Sequence, residues 1–259
     1  VSPDALTVKA RTRTHWEAVD LGLALVQTYW KNLYAAWLVV ALPAVFLALT
    51  LIYLLNDSDN ALMYGMLLLW WLKPLYDRVL LHVLSRAVFG EKVGWRDALH
   101  AMPGLLRHSG LFRGLTWGRF SPKRSYKLPT WQLEGVKGQT RYRRLLSLKG
   151  DGAVRLLMVC STFEMILIVG VMGFVLMMLP PEFILSRLES FSDFFTSDKV
   201  SLWFNAIYNL GYFLAISIIE PFYVAAGFTL YLNRRTEIEG WDIELGFRTL
   251  AARLEASSS

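Results

Sequence analysis

Cysteine is almost absent from this chain of 259 residues: Cys160 stands alone, inside an apolar run. An internal disulfide is thereby excluded, and so is a zinc site built on thiolates. Histidine is nearly as scarce, and His15, His82, His100 and His108 show no metal-ligand spacing. HExxH, GxSxG, CxxC and a glycine-rich phosphate loop are all missing, which removes the usual signatures of metalloprotease, hydrolase, redox and nucleotide chemistry. No metal, cofactor or catalytic residue is expected, and nothing positions Ser121, Ser125 and His108 as a hydrolase. Charge is missing where it matters most: residues 33–55 carry none, with Pro43 the only interruption.

Apolar residues make up 54% of the chain and aromatics 14%, with a mean hydropathy of +0.37. Soluble domains hold roughly 45–50% apolar residues, so the expected class is an integral membrane protein. Four spans are expected, at 33–55, 61–90, 153–179 (ending on Pro180-Pro181) and 201–232, the last kinked at Pro221. The fold class is all-α: a polytopic transmembrane helical bundle with cytoplasmic amphipathic helices. The N-terminus lacks the succession of a secretory signal, and the first apolar helix can serve for insertion.

Five segments follow. Residues 1–32 form an N-terminal segment whose apolar positions Trp16, Val19, Leu23, Val26, Trp30 and Leu33 recur at helical spacing. Residues 33–90 hold the first helix pair, joined by the polar turn 56–60. Residues 91–150 are a basic loop, 151–232 the second pair with an acidic, aromatic connection at 182–199, and 233–259 an amphipathic tail. Its closing LEASSS reads as a cloning scar and linker. In the tail, Ile243, Phe247, Leu250 and Leu254 share a stripe and Glu244 is spaced to pair with Arg248.

The net charge of +6 is unevenly placed. Residues 86–149 contain fourteen Lys and Arg against Glu91, Asp97 and Glu134, whereas turn 56–60 has no basic residue. By the positive-inside rule the loop and both termini are cytoplasmic. Roughly 60 residues is long for a connection, so the loop should have structure of its own: a segment interleaving Leu and Phe with Arg around 105–119, extended chain and turns over 120–135, and a basic helix at 136–148. Arg107, Arg113, Arg119, Lys123, Arg124, Arg141, Arg143 and Arg144 are the candidates for holding anionic lipid headgroups or an acidic partner. The plainer reading is that these charges only set topology. Nucleic acid is disfavoured because the charge sits against the membrane.

Lys73, Asp77, Arg78, Glu164 and Glu220 fall within apolar spans. Ionisable groups at such depth are costly and mark functional sites by default, as proton carriers, ion ligands or partners for a cationic headgroup. Lys73 and Asp77 are one turn apart and can pair along one face. The structural alternative is that Glu164 and Glu220 neutralise Lys73 and Arg78 across helices and fix the assembly. A homo-oligomer is also conceivable through Gly170 and Gly173, although their spacing is not GxxxG.

The stretches WEAVDLGLALV, WWLKPLYDRVLLHVLSRAVFG, SPKRSYKLPTWQLEG and EPFYVAAGFTLYLNRRTEIEGWDIE resemble a family of uncharacterised four-span inner-membrane proteins of Gram-negative bacteria. The resemblance covers most of the chain. It implies genes placed with transglutaminase-like membrane proteins and MoxR-type ATPases, hence a role in the cell envelope, and it assigns no catalytic residue. The expected function is a non-enzymatic membrane component of an envelope complex, docking a partner or anionic lipid through the basic loop. A small transporter or lipid-handling protein using Glu164 and Glu220 is the alternative, and a membrane enzyme comes third.

Overall fold

The computed structural model describes residues 11–55, 60–91, 93–108, 111–136, 138–150, 152–178 and 201–241, and among them all regular structure is helical. In chain order the helices are α1 (His15–Leu54), α2 (Ala61–Trp71), α3 (Lys73–Val88), α4 (Trp95–His108), α5 (Leu111–Leu115), α6 (Arg124–Gln132), α7 (Gly138–Leu148), α8 (Ala153–Met177) and α9 (Ser201–Glu239), with a 3-10 turn at Trp117–Phe120. The turn 56–59, the connection 182–199 and the tail beyond Trp241 lie outside the described residues.

Thr14 starts α1 with a capping box: its hydroxyl accepts from the Glu17 N–H while the Glu17 carboxylate accepts from the Thr14 N–H at 2.8 Å. The amphipathic segment and the first apolar span, separate in the sequence reading, are merged into one 40-residue helix that departs from helical geometry only at Tyr29 (φ −107°, ψ 16°). No glycine or proline separates them, and helix propagation continues where nothing stops it.

The core is the pairing of α1 with α9. Gly22 makes it possible, since a Cβ there would lie 2.7 Å from the backbone of Ala226. Below that contact Ala36, Ala41, Ala44 and Ala48 keep the inner face of α1 narrow, as close helix approach in a membrane requires. Trp37 fills the widest gap, stacked on Phe213 with ring centroids 5.3 Å apart and edge-on to Tyr76 at 5.9 Å.

Three helices are long and apolar enough to cross a membrane: His15–Leu54, Ala153–Phe174 and Asn205–Glu239. α9 runs helical through Pro221. The expected span at 61–90 is instead divided at Leu72 into α2 and α3. Pro74 has no N–H to give to the Trp70 carbonyl one turn back. The eleven residues of α2 rise only about 16 Å, whereas α3 is enclosed by protein, with Lys73, Asp77 and Arg78 among its buried side chains. Apolar side chains face outward on α1 (Leu42, Phe46), α2 (Met63, Leu67) and above all α8 (Phe163, Val169). A surface of that kind belongs against hydrocarbon rather than water. α8 packs chiefly on α9, so most of its circumference is open.

The basic loop is helical throughout its described length apart from short turns. Residues 124–132, expected as extended chain, form α6. Its Pro129 sits inside the helix, and packing overrides the sequence signal: Tyr126, Leu128 and Thr130 are buried, and Gly227 of α9 lets the helix approach so closely that an added Cβ would lie 2.4 Å from the Ser125 side chain. The basic helix expected at 136–148 is present as α7.

Candidate functional site

α6 packs on α9 and also touches α3, and its first residue, Arg124, reaches between them. Arg124 Nη2 donates to Glu220 Oε1 at 2.6 Å, and Arg124 Nε lies 3.0 Å from Asp77 Oδ2. Lys73 Nζ donates to both oxygens of Glu164, at 2.7 and 2.8 Å, and sits 3.1 Å from Glu220 Oε2. Glu220 therefore bridges two cations, and one chain of contacts runs Glu164, Lys73, Glu220, Arg124, Asp77. Side-chain exposure is 6% for Lys73, 1% for Asp77, 2% for Glu220, 14% for Arg124 and 16% for Glu164. These groups have given up most of their hydration, so their mutual attraction is what offsets the cost. Burial alone would pull the Arg124 guanidinium down, but Asp77 and Glu220 outweigh it and hold its pKa above the usual value.

Four of the five residues singled out in the spans, Lys73, Asp77, Glu164 and Glu220, share this chain of contacts. Lys73 pairs across helices with Glu164 and Glu220, the second of the two arrangements expected for it, and Asp77 pairs with Arg124 instead of with Lys73. Arg78, expected opposite a glutamate, donates from Nη1 to the Pro74 carbonyl at 2.5 Å, and its own carbonyl accepts from Gln132 Nε2 of α6 at 2.9 Å. Sequence reasoning missed Arg124 as a member of the network. The signal was there: the five span residues sum to −1, and a low-dielectric interior calls for one more cation. Lys73, Arg78 and Arg124 balance Asp77, Glu164 and Glu220.

A second use of the loop's cations follows from the break in the span. Arg119 Nη2 donates at 2.6 Å to the Trp70 carbonyl, the acceptor that Pro74 leaves without a helical donor. Its guanidinium also lies 3.7 Å from the Trp70 ring centroid. At the far end of the loop Arg144 holds Glu134 at 3.0 Å and also binds Glu239 of α9, while Tyr231 of α9 donates to Glu134 at 2.6 Å. The bonds to Glu134 come first among the causes that raise the Arg144 pKa; partial burial opposes them.

Of the other loop residues, Arg141 donates to the Val136 carbonyl at 2.5 Å and stacks over Trp131, and Lys123 Nζ donates to the Lys149 carbonyl at 2.8 Å. Arg107 and Arg143 are exposed. The side chain of Arg113 lies outside the described set. Among the described residues no cluster of His, Cys, Asp and Glu could hold a metal.

Two cavities meet at Arg124 and Ser121. The first, of about 790 Å³, lies between α2, α8 and α9; its walls include Leu62, Met66, Leu157 and Ile168, with Lys73, Glu164 and Glu220 on one side. The second, of about 720 Å³, lies between α3, α6 and α7 and is lined by Arg78, Lys123, Arg124, Lys127 and Lys149, with Asp77 the single carboxylate among the described residues. Both fall in the size range of small-molecule sites. No family model, curated protein or solved structure matches this chain. The site's chemistry therefore has to speak through its own geometry.

Proposed function

We propose that this is a four-crossing protein of the bacterial inner membrane, with α2 and α3 together making the fourth crossing and with both termini and the loop cytoplasmic. It acts without catalysis, as a component of a cell-envelope complex that engages anionic lipid at the cytoplasmic leaflet. The observation that carries this reading is the network joining Arg124 to Asp77 and Glu220 and Lys73 to Glu164 and Glu220, whose three carboxylates are balanced once the neighbouring buried Arg78 is counted. Carboxylates paired at such distances suit a role in fixing the bundle better than one in carrying protons or ions. The fate of the loop separates lipid from protein partner. Arg119, Arg124, Arg141 and Arg144 are engaged within the protein, which leaves little flat basic surface for a docking protein. What the loop retains is a concave basic cavity, scaled to a headgroup.

One observation favours a second reading, lipid handling through the carboxylates: Glu164 and Glu220 line the larger cavity. Extraction of the chain from native membranes in mild detergent, with mass spectrometry of retained lipids and proteins, tests the main proposal. Retained anionic lipid, together with lowered folded yield of Glu164→Gln and Glu220→Gln, is the expected result. Wild-type yield of both variants with loss of a lipid-transfer activity would move the assignment to the second reading.

A further inference from the structure

We infer that the two cavities form one bipartite site for a single phospholipid, with its phosphate in the basic cavity and an acyl chain in the apolar one. This deepens the anionic-lipid reading and rests on it. Four observations carry the inference. Ser121 and Arg124 line both cavities, so the two volumes adjoin at a polar step. Among the described residues the basic cavity is lined by five cations and one carboxylate; Arg124 is engaged with Asp77 and Glu220, while Lys123 and Lys149 form no ion pair with a carboxylate among the described residues. A phosphate oxygen set is the complement of such a wall. The apolar cavity follows α2 from Leu62 to Trp70, about 12 Å of helix axis, the length of a good part of an acyl chain. Its rim includes the exposed Met63, Leu67 and Met165, so a chain can enter from the lipid side beside α8.

Lys149 supplies a fourth observation. It is the one non-glycine residue with positive φ among the described residues, at 54°, a conformation that disfavours a side chain of its kind and suits asparagine. Lys149 lines the basic cavity at a position where the backbone would prefer another residue; such outliers cluster at binding sites. The contrast gives a clean test, because Lys149→Asn removes the charge and relieves the backbone at once.

The experiment uses the full chain in detergent with native mass spectrometry, offering dioleoyl phosphatidylglycerol, dioleoyl phosphatidylcholine and inorganic phosphate. One phosphatidylglycerol bound about tenfold more tightly than phosphatidylcholine is expected. Lys149→Asn should weaken it about tenfold without loss of thermal stability, and Lys123→Gln should do likewise. Ser161→Phe, which narrows the apolar cavity from α8, should weaken the lipid and leave any competition by inorganic phosphate unchanged. Equal retention of the two lipids overturns the proposal, as does phosphatidylglycerol binding that Ser161→Phe leaves at full strength, since the acyl chain then lies elsewhere. Tight phosphatidylglycerol binding that ignores all three variants sinks this site while leaving the anionic-lipid function standing; no lipid bound by the folded wild type sinks both.

Discussion

Arg124→Gln removes the cation that ties the basic loop to the membrane helices, and its effect can be worked out from the neighbours it leaves. Asp77, 1% exposed, loses its only ion-pair partner among the described residues; Glu220, 2% exposed, keeps Lys73. The network goes from neutral to a net charge of −1 in a medium that solvates it poorly. Breaking a buried pair from one side costs about 3–5 kcal/mol, which lowers the melting temperature of a chain of this size by on the order of 10 °C. Asp77→Asn alone leaves Arg124 on Glu220 and costs less, about 1–3 kcal/mol. In the double variant Arg124→Gln/Asp77→Asn the buried charges balance again, so the two losses should fall short of their sum by about 2 kcal/mol, within the range typical of contacting pairs. Thermal unfolding in mild detergent followed by circular dichroism measures the cycle, and limited trypsin digestion reports whether residues 117–149 have come loose. Additivity within about 0.5 kcal/mol, with the loop equally protected in all four proteins, would refute the claim that Arg124 clamps the loop.

Three further outcomes follow from single contacts. Gly227→Ala places a Cβ 2.4 Å from Ser125, so α6 must retreat by more than an ångström; a loss of about 1–3 kcal/mol and a trypsin-sensitive loop are expected, and unchanged stability would mean that α6 is not seated there. Arg119→Gln leaves the Trp70 carbonyl without its 2.6 Å donor and should cost about 1–3 kcal/mol, whereas Arg143→Gln, at an exposed position, should stay within about 0.5 kcal/mol; equal effects in thermal unfolding would contradict the assignment. Reporter fusions at Asn60 and at Gly138 should fall on opposite sides of the membrane, and fusions reporting the same side would remove the fourth crossing.

Much of the fold could be read from local pattern because membrane helices announce themselves by long apolar runs, and the three longest helices lie where such runs do. The break at Leu72 was harder to read. Pro74 is visible in the sequence, but whether a helix bends or divides at proline depends on who satisfies the freed carbonyl, and that partner, Arg119, lies 49 residues away. The same separation hid Arg124. A lysine-arginine pair flanked by proline and serine reads locally as solvated turn, and only the imbalance among Lys73, Asp77, Arg78, Glu164 and Glu220 hinted that a cation must arrive from elsewhere. Helix α6 was misread for a related reason: Pro129 and the polar composition argue against a helix, while the compensating contact, Gly227 against Ser125, is a property of two distant segments.

These points bear on why the loop is so basic. Positive-inside topology needs charge near the membrane but does not care which cation sits where. Here individual positions are tied to individual acceptors: Arg119 to a carbonyl opened by Pro74, Arg124 to Asp77 and Glu220, Arg144 to Glu134 and Glu239. Each acceptor is on, or adjoins, a membrane helix, so the loop acts as a cap on one end of the bundle and completes charges and hydrogen bonds that the helices alone leave open. A cap held in this way makes a cavity beneath it a fixed feature rather than a chance gap between mobile segments. The cations not consumed in holding the cap, Lys123 and Lys149 foremost, are left lining that cavity, where a phosphate can meet them without first breaking an ion pair.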